Sequence, residues 1–451
     1  MSDAESSTKD SLLLRVDRDD KVTCMDIQDG SFTEELKRLI YFAAPMAAVV
    51  IAQFTLQIIS MVMVDTLSGQ AYGAKLYRKL GVQTYTAMFC LTLVCIPISI
   101  IWLNIEKLLV FLGQDQAIAH EAGRYAAWLI PGLFSYAVTQ PLTRYFQNQS
   151  MISPLLITST LVFCFHAPVC WLLVYKSGLG FLGGAAAMGL SNWLCAIILG
   201  SIMCFSSACS ETRAPLSMEM FNGVGEFFRY ALPSAAMVCL EWWSFELIIL
   251  LSGLLPNPEL ENSVLSICLQ TIATVSAIPI AIAAAASTRI SNELGAGNSR
   301  AAHIVVYTAM FLAVMESLVV SMSLLVGRSV FGYVFSSDER TVDYVAKMAP
   351  LLYVSILLDG LQAVLAAGIA RGCGWQHIGA YINLGSFYLC GIPFAATLAF
   401  WFNLEGVGLW IGIQAGALVQ NLLLGLFTGF TNWQNQVLLF PFFLSLMCPS
   451  S

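Results

Sequence analysis

From Leu36 onward the chain is a succession of apolar runs broken by short polar, glycine-bearing or charged stretches. The runs are about 20 residues long, which at 1.5 Å per helical residue crosses about 30 Å of hydrocarbon. Eleven are read, at 36–64, 82–103, 125–146, 155–175, 182–206, 227–253, 264–286, 303–326, 345–369, 378–401 and 404–430. Backbone in lipid must satisfy its own polar groups, so the pattern predicts an all-α polytopic membrane protein. A last apolar stretch, VLLFPFFLSLMC from Val437, is too short to span a bilayer and reads as an atypical apolar tail.

The runs come in two related sets. YTAMF stands at Tyr85–Phe89 and again at Tyr307–Phe311, and Thr66, Gly73, Ala74 and Arg78 return as Thr288, Gly295, Ala296 and Arg300, an offset of 222. An internal repeat in a polytopic chain predicts two homologous helical lobes with a binding site at their junction, as in secondary transporters. The expected organisation is a first lobe at 36–206, an inter-lobe loop at 207–226, a second lobe at 227–430 and the tail at 431–451.

The repeat also exposes a deficit. Pro45 in YFAAPMAA matches Pro233 in RYALPSAA at an offset of 188, so the first copy is 34 residues shorter (222 less 188) between Pro45 and Gly73. In the second copy that interval holds the run 264–286; in the first, Val64 leads directly into Asp65 and the polar stretch DTLSGQAYGAKLYRKLG. The first lobe is therefore expected to lack its second helix. Basic loops favour the cytoplasmic side, and Lys37 and Arg38 precede the first run while Lys75, Arg78 and Lys79 follow it. One crossing cannot leave both flanks cytoplasmic. With a helix restored, Arg213, Arg289, Arg300 and Arg371 join those bases on one side, and the acidic stretches 106–121 and 256–262 fall on the other.

Composition agrees with membrane residence: 58% of residues are hydrophobic, 11% are charged, and the mean hydropathy is +0.75. The net charge of −7 is concentrated in residues 1–35, where ten acids face four bases, as in a disordered, solvated cytoplasmic leader. Thirteen cysteines invite a disulfide framework, but most sit inside apolar runs without C-x-x-C spacing and read as small packing residues. Four scattered histidines offer no metal-ligand spacing, so neither a metal site nor an enzyme is expected.

Acids at membrane depth cost about 2.5–3.5 kcal/mol on insertion scales and persist where they line a cavity or carry ions. Glu241 lies eight residues beyond Pro233, and its repeat partner is Gln53. Asp359, placed by aligning Pro350 with Pro131, stands opposite Gln140. The second lobe thus has acids where the first has amides. A carboxyl removed from water favours its neutral form, which suits proton binding. The competing reading is that Ser, Thr or backbone donors satisfy each acid locally. Glu246 is five residues beyond Glu241 and so off its face of the helix. Glu316, opposite Val94, is either a second relay or an interhelical hydrogen-bond partner. Gln270, Thr274, Tyr381 and Asn383 are candidate cavity groups, although polar residues between membrane helices also serve packing. Trp242 and Trp243 could form an aromatic wall for a flat cation.

QAYGAKLY (Gln70–Tyr77), LEWWSFE (Leu240–Glu246), SGLLPNP (Ser252–Pro258), STRISNELGAGN (Ser287–Asn298) and GIARGCGWQ (Gly368–Gln376) give the chain its resemblance to the multidrug and toxic compound extrusion (MATE) transporters, specifically the plant branch, over about residues 36–435. The resemblance implies a fold of normally twelve helices, about eleven here, in two lobes around a central cavity. It also implies antiport of organic compounds, cationic or amphipathic, against protons, with sodium the alternative ion and no other cofactor. It assigns coupling to Glu241 and Asp359; the residues themselves offer Gln53, Gln140, Trp242, Glu246, Gln270, Tyr381 and Asn383 as cavity candidates. The implied partners are small organic solutes and the lipid bilayer, with no nucleic acid, for a monomer in the plasma or vacuolar membrane. Two rivals are a non-transporting or regulatory isoform and a lipid-linked sugar flippase, the latter disfavoured because no intramembrane Lys or Arg cluster is read.

Overall fold

The computed structural model describes residues 67–111, 116–327 and 338–437. Described residues of the first half form α1 (Tyr77–Leu103), α2 (Ile105–Phe111), α3 (Gln116–Asn148), α4 (Ile152–Tyr175) and α5 (Phe181–Phe205). The second half forms α6 (Val224–Ser252), α7 (Pro258–Val275), α8 (Ala277–Gly295), α9 (Ser299–Val326), α10 (Glu339–Gln362), α11 (Gln376–Asn383) and α12 (Glu405–Phe430). No strand occurs among the described residues. Helix starts follow local chemistry. Pro258 opens α7, where its missing N–H costs nothing. The side chains of Asn298 and Asp338 cap α9 and α10 by accepting the N–H groups of Ala301 and Thr341.

Among the described residues eight helical stretches are long and apolar enough to cross a bilayer, and α7 with α8, bent by 43°, makes a ninth if counted as one span. The expected run 36–64 and its junction at Val64 lie outside the described residues. The run 125–146 falls within α3, which is 33 residues long but not apolar enough to stand among the eight, for it carries Arg124, Gln140, Arg144 and Gln147. Nor is the expected continuous helix at 264–286 found: it bends at Ser276, between α7 and α8.

Two further differences concern helix geometry. Beyond α10 the backbone widens into a π-helical stretch, Ala363–Ala370, before the short helix Arg371–Cys373. Beyond α11 it does so at Leu384–Gly391 and Thr397–Trp401. Apolar periodicity carries no signature of such widening. The expected inter-lobe loop 207–226 is shorter than read, since α6 already begins at Val224. The start of the expected tail is built into the second half: Trp433 is buried, and Trp375 Nε1 donates to Gln436 Oε1 at 3.2 Å.

The protein is an integral multi-pass membrane protein, and its exposed faces fit a bilayer. On α4 the exposed apolar groups include Leu156, Phe163 and Trp171, while Thr158 is its one buried residue. The halves meet where α1 packs on α6 and α3 on α8. Helix α6 serves both. Its Phe227, Ala231, Ala235 and Cys239 pack with α1 and α3, whereas Ile248 packs with α7, α10 and α12. Glu241 lies where α6 passes from one core to the other.

Candidate functional site

Glu241 and Asp359 are brought together by the fold. Both are half-buried, on α6 and α10, and lie within electrostatic reach of each other. The side chains of Gln362 and Gln420 lie near the Glu241 carboxyl, and Arg371 also acts on it electrostatically. Ser276 Oγ donates to Asp359 Oδ2 from the bend between α7 and α8. The same hydroxyl lies 2.8 Å from the Ile272 carbonyl. A hydroxyl has one hydrogen and two acceptor positions. While Asp359 is ionised, Ser276 gives it that hydrogen. Once Asp359 carries its own proton, it can donate to Ser276 Oγ and free the hydrogen for Ile272.

Glu316 extends the acidic set, since it acts on Asp359 electrostatically from α9. Its neighbour Ser317 packs on Gly360, the residue after Asp359, and Ser317 Oγ lies 3.4 Å from Glu316 Oε2. Asp359 and Glu316 thus each have a serine partner, Ser276 and Ser317.

The other expected site residues divide. Gln53 lies outside the described residues. Gln140 is half-buried on α3, while Trp242, Glu246 and Gln270 lie on exposed faces of α6 and α7. Tyr381 is 74% exposed, and the nearby Leu384 and Leu389 are exposed as well. Asn383 is corrected from its expected cavity placement. It is fully buried and engaged at both ends of its amide, giving Nδ2 to the Met237 carbonyl and accepting Gln420 Nε2 through Oδ1, each at 2.6 Å.

Several partners escaped the sequence reading. Gln362, Gln420 and Ser276 each stand amid apolar residues with no motif to mark them. Arg144 and Arg371 are both buried. Each is followed five residues later by a buried glutamine, Gln149 and Gln376, an offset of 227. That match overturns the proline alignment for this helix. Asp359 lies twelve residues before Arg371, but Gln140 only four before Arg144, so Gln140 does not stand at the depth of Asp359. The cysteines follow expectation in part: Cys90, Cys95, Cys239 and Cys268 are buried, but Cys164 is exposed.

Comparison with known proteins gives matching results. The sequence profile of the family described as MatE matches residues 40–172 and 233–397, one match in each half. Protein DETOXIFICATION 12 and Protein DETOXIFICATION 13 of Arabidopsis thaliana are 71% and 73% identical, covering 97% of this chain and 97% of each relative. Both alignments run over 469 positions, more than the 451 residues of this chain, so the relatives carry internal residues with no counterpart here. Among solved structures, the eukaryotic MATE transporter AtDTX14 superposes with a TM-score of 0.78 at 50% identity, over 90% of this chain and 98% of that one. A MOP superfamily transporter from Pyrococcus furiosus shares the fold, with a TM-score of 0.75 at 16% identity over 87% of both chains.

Proposed function

Because the chain belongs to the MATE family of multidrug and toxin efflux transporters, and is not an enzyme, we propose that it exports organic cations or amphipathic compounds in exchange for protons carried by Glu241 and Asp359. The observation that carries this reading is the convergence of two half-buried carboxyls in the second half, Asp359 bonded by Ser276 and Glu241 lying near the amides of Gln362 and Gln420. Two nearby carboxylates repel, so a proton from the acidic side relieves the repulsion and is held until the cavity opens to the other side. The proton released by one carboxyl affects its neighbour, and Ser276 passes the change to the bend between α7 and α8. Transport requires no covalent step. The protein works as a monomer in the plasma or vacuolar membrane, and proton rather than sodium is the coupling ion.

The test uses sealed vesicles containing the protein, with an imposed proton or sodium gradient and a fluorescent organic cation as cargo. Glu241→Gln and Asp359→Asn keep shape and hydrogen bonding but cannot titrate. Both are expected to lose proton-driven export while inserting normally. Wild-type rates in both variants, or export driven by sodium alone, would sink the reading.

A second reading, a regulatory or non-transporting form, is favoured by one observation: the aligned length exceeds that of the chain. It is tested separately below. The flippase reading gains the two buried arginines, but Arg144 and Arg371 stand one in each half rather than as a cluster.

A further inference from the structure

We propose that Trp433 and Val437 are positioning residues for transport: the segment 431–437 holds the turn between α8 and α9 so that the two halves stay joined at the membrane end that carries Arg289, Arg300 and Arg371. This rests on the transport reading given above, in which the halves part at that end to admit cargo. The chain leaves α12 with Thr431 Oγ1 donating to the Phe427 carbonyl at 2.6 Å. Asn432 then caps a helical turn over 433–437, its Oδ1 accepting the N–H groups of Gln434 and Asn435 at 3.1 and 3.3 Å. The buried Trp433 ring lies 5.4 Å from that of His303 on α9 and 5.9 Å from that of Trp375, just before α11. Trp375 in turn meets Phe427 of α12 edge-on at 4.9 Å and donates Nε1 to Gln436. One short segment thus ties α9, α12 and the start of α11 together.

Val437 reaches the turn between α8 and α9 itself. Its Cγ1 lies 3.9 Å from the place a β-carbon on Gly297 would take. Gly297 has a φ of +79°, which glycine alone adopts without strain, and its bare backbone leaves a seat for Val437. Trp433 and Val437 share one apolar core with Ile290 and Leu294 before that turn and Ala302 and Val306 after it. The same stretch of chain makes the join to the first half. A β-carbon on Gly295 would come 2.7 Å from Gln70 Cα, and Asn292 Nδ2 donates to the Asn148 carbonyl at 3.0 Å. Backbone packed on backbone has no flexible side chain to absorb a displacement, so the join holds only while the turn is held. Trp433 Nε1 is buried without a hydrogen-bond partner among the described residues, so the indole acts there as an apolar plate rather than as a donor.

The test is hydrogen–deuterium exchange of the full chain in lipid nanodiscs, read by peptide mass spectrometry. Residues 67–76 of the first half are the reporter, and 252–262, at the opposite end of the second half, are the control. Trp433→Ala removes the plate, and Val437→Ala removes the contact on Gly297 with a small change of volume. Exchange at 67–76 and 292–298 is expected to rise about tenfold or more in Trp433→Ala, because large-to-small core changes remove at least that factor, and by a smaller factor in Val437→Ala. The control should keep its wild-type rate in both. Trp433→Phe keeps a ring and loses only the unpartnered N–H, so it should exchange as wild type. A rise confined to 431–437 and 303–307, or an equal rise in every peptide of both variants, overturns the inference. Export in sealed vesicles gives a second readout. In Val437→Ala the half-saturating cargo concentration on the loading side should fall, since the cargo-accepting state is more populated. A merely structural segment would lower the thermal midpoint and leave that concentration unmoved, which also overturns the inference. Exchange needs no transport, so unmoved exchange at 67–76 beside full wild-type export overturns the positioning role alone. Raised exchange at 67–76 beside a wild type that exports nothing overturns the transport reading and supports the hold on the turn.

Discussion

Gly73 and Gly295, repeat partners 222 residues apart, each press against the residue three positions before the other. A β-carbon on Gly73 would come within 3.0 Å of Asn292 Cα, and one on Gly295 within 2.7 Å of Gln70 Cα. Asn292 and Gln70 are themselves repeat partners, so the contact has the reciprocity of a two-fold axis between the halves. Neither glycine is there for backbone freedom, since neither has a positive φ; both are there for close approach. Gly73→Val and Gly295→Val are each expected to cost about 1–3 kcal/mol through overpacking. The measurement is the thermal midpoint in detergent, with Gly425→Val as control, because a β-carbon at Gly425 meets nothing. Equal midpoints in the three variants would contradict the interlock.

Ser276 offers a test of the link between proton and helix bend. Ser276→Ala leaves Asp359 without its hydroxyl partner, a loss of about 1–3 kcal/mol for a buried group. Proton-driven export should fall about tenfold or more, since 1.4 kcal/mol is a factor of ten. Ser276→Thr keeps the hydroxyl and should restore most of the rate. Export assays on the three proteins decide, and equal rates for the alanine and threonine variants would remove the hydroxyl from the mechanism.

Asp338 gives a pH dependence outside the spans. Thr341 donates to its carboxyl through Oγ1 at 2.7 Å and through its backbone N–H at 3.1 Å, which holds Asp338 below the usual carboxylate range. A depressed group stabilises the fold above its unfolded value, near about pH 4, and that stability is lost as pH falls through the folded value. The thermal midpoint of the wild type should therefore drop over that acidic window. Asp338→Asn retains a capping oxygen without the titration, so it should show a smaller drop. Identical pH curves would exclude the cap as the source.

The length deficit is tested by adding residues. Inserting the corresponding segment of Protein DETOXIFICATION 12 after Val64 is expected to raise export severalfold. An epitope placed in the loop between α5 and α6 reports its side of the membrane, with and without permeabilisation. A cytoplasmic epitope and full export in the uninserted chain would show that the 34-residue deficit between the repeats is harmless.

The sequence by itself determined the membrane class, the helical runs, the two-fold repeat and the family. Each follows from one-dimensional pattern: apolar length sets a crossing, and duplicated motifs such as GAK and GAG at Gly73 and Gly295 mark equivalent places. It also singled out Glu241 and Asp359, because a carboxyl in an apolar run is conspicuous whatever surrounds it. It could not say which amides face them. Gln362 and Gln420 look no different in sequence from Gln270, yet two lie near Glu241 and the third lies on an exposed face. Proline anchors misplaced Gln140, because prolines need not recur at the same depth in repeated helices, whereas the buried Arg144 and Arg371 do mark that depth. The π-helical widening after α10 and α11, the bend at Ser276 and the burial of Asn383 depend on which helices cross and how closely. Hydrogen bonds between helices form between residues far apart in the chain, Asn383 with Met237 and Ser276 with Asp359, so only the packed structure decides them.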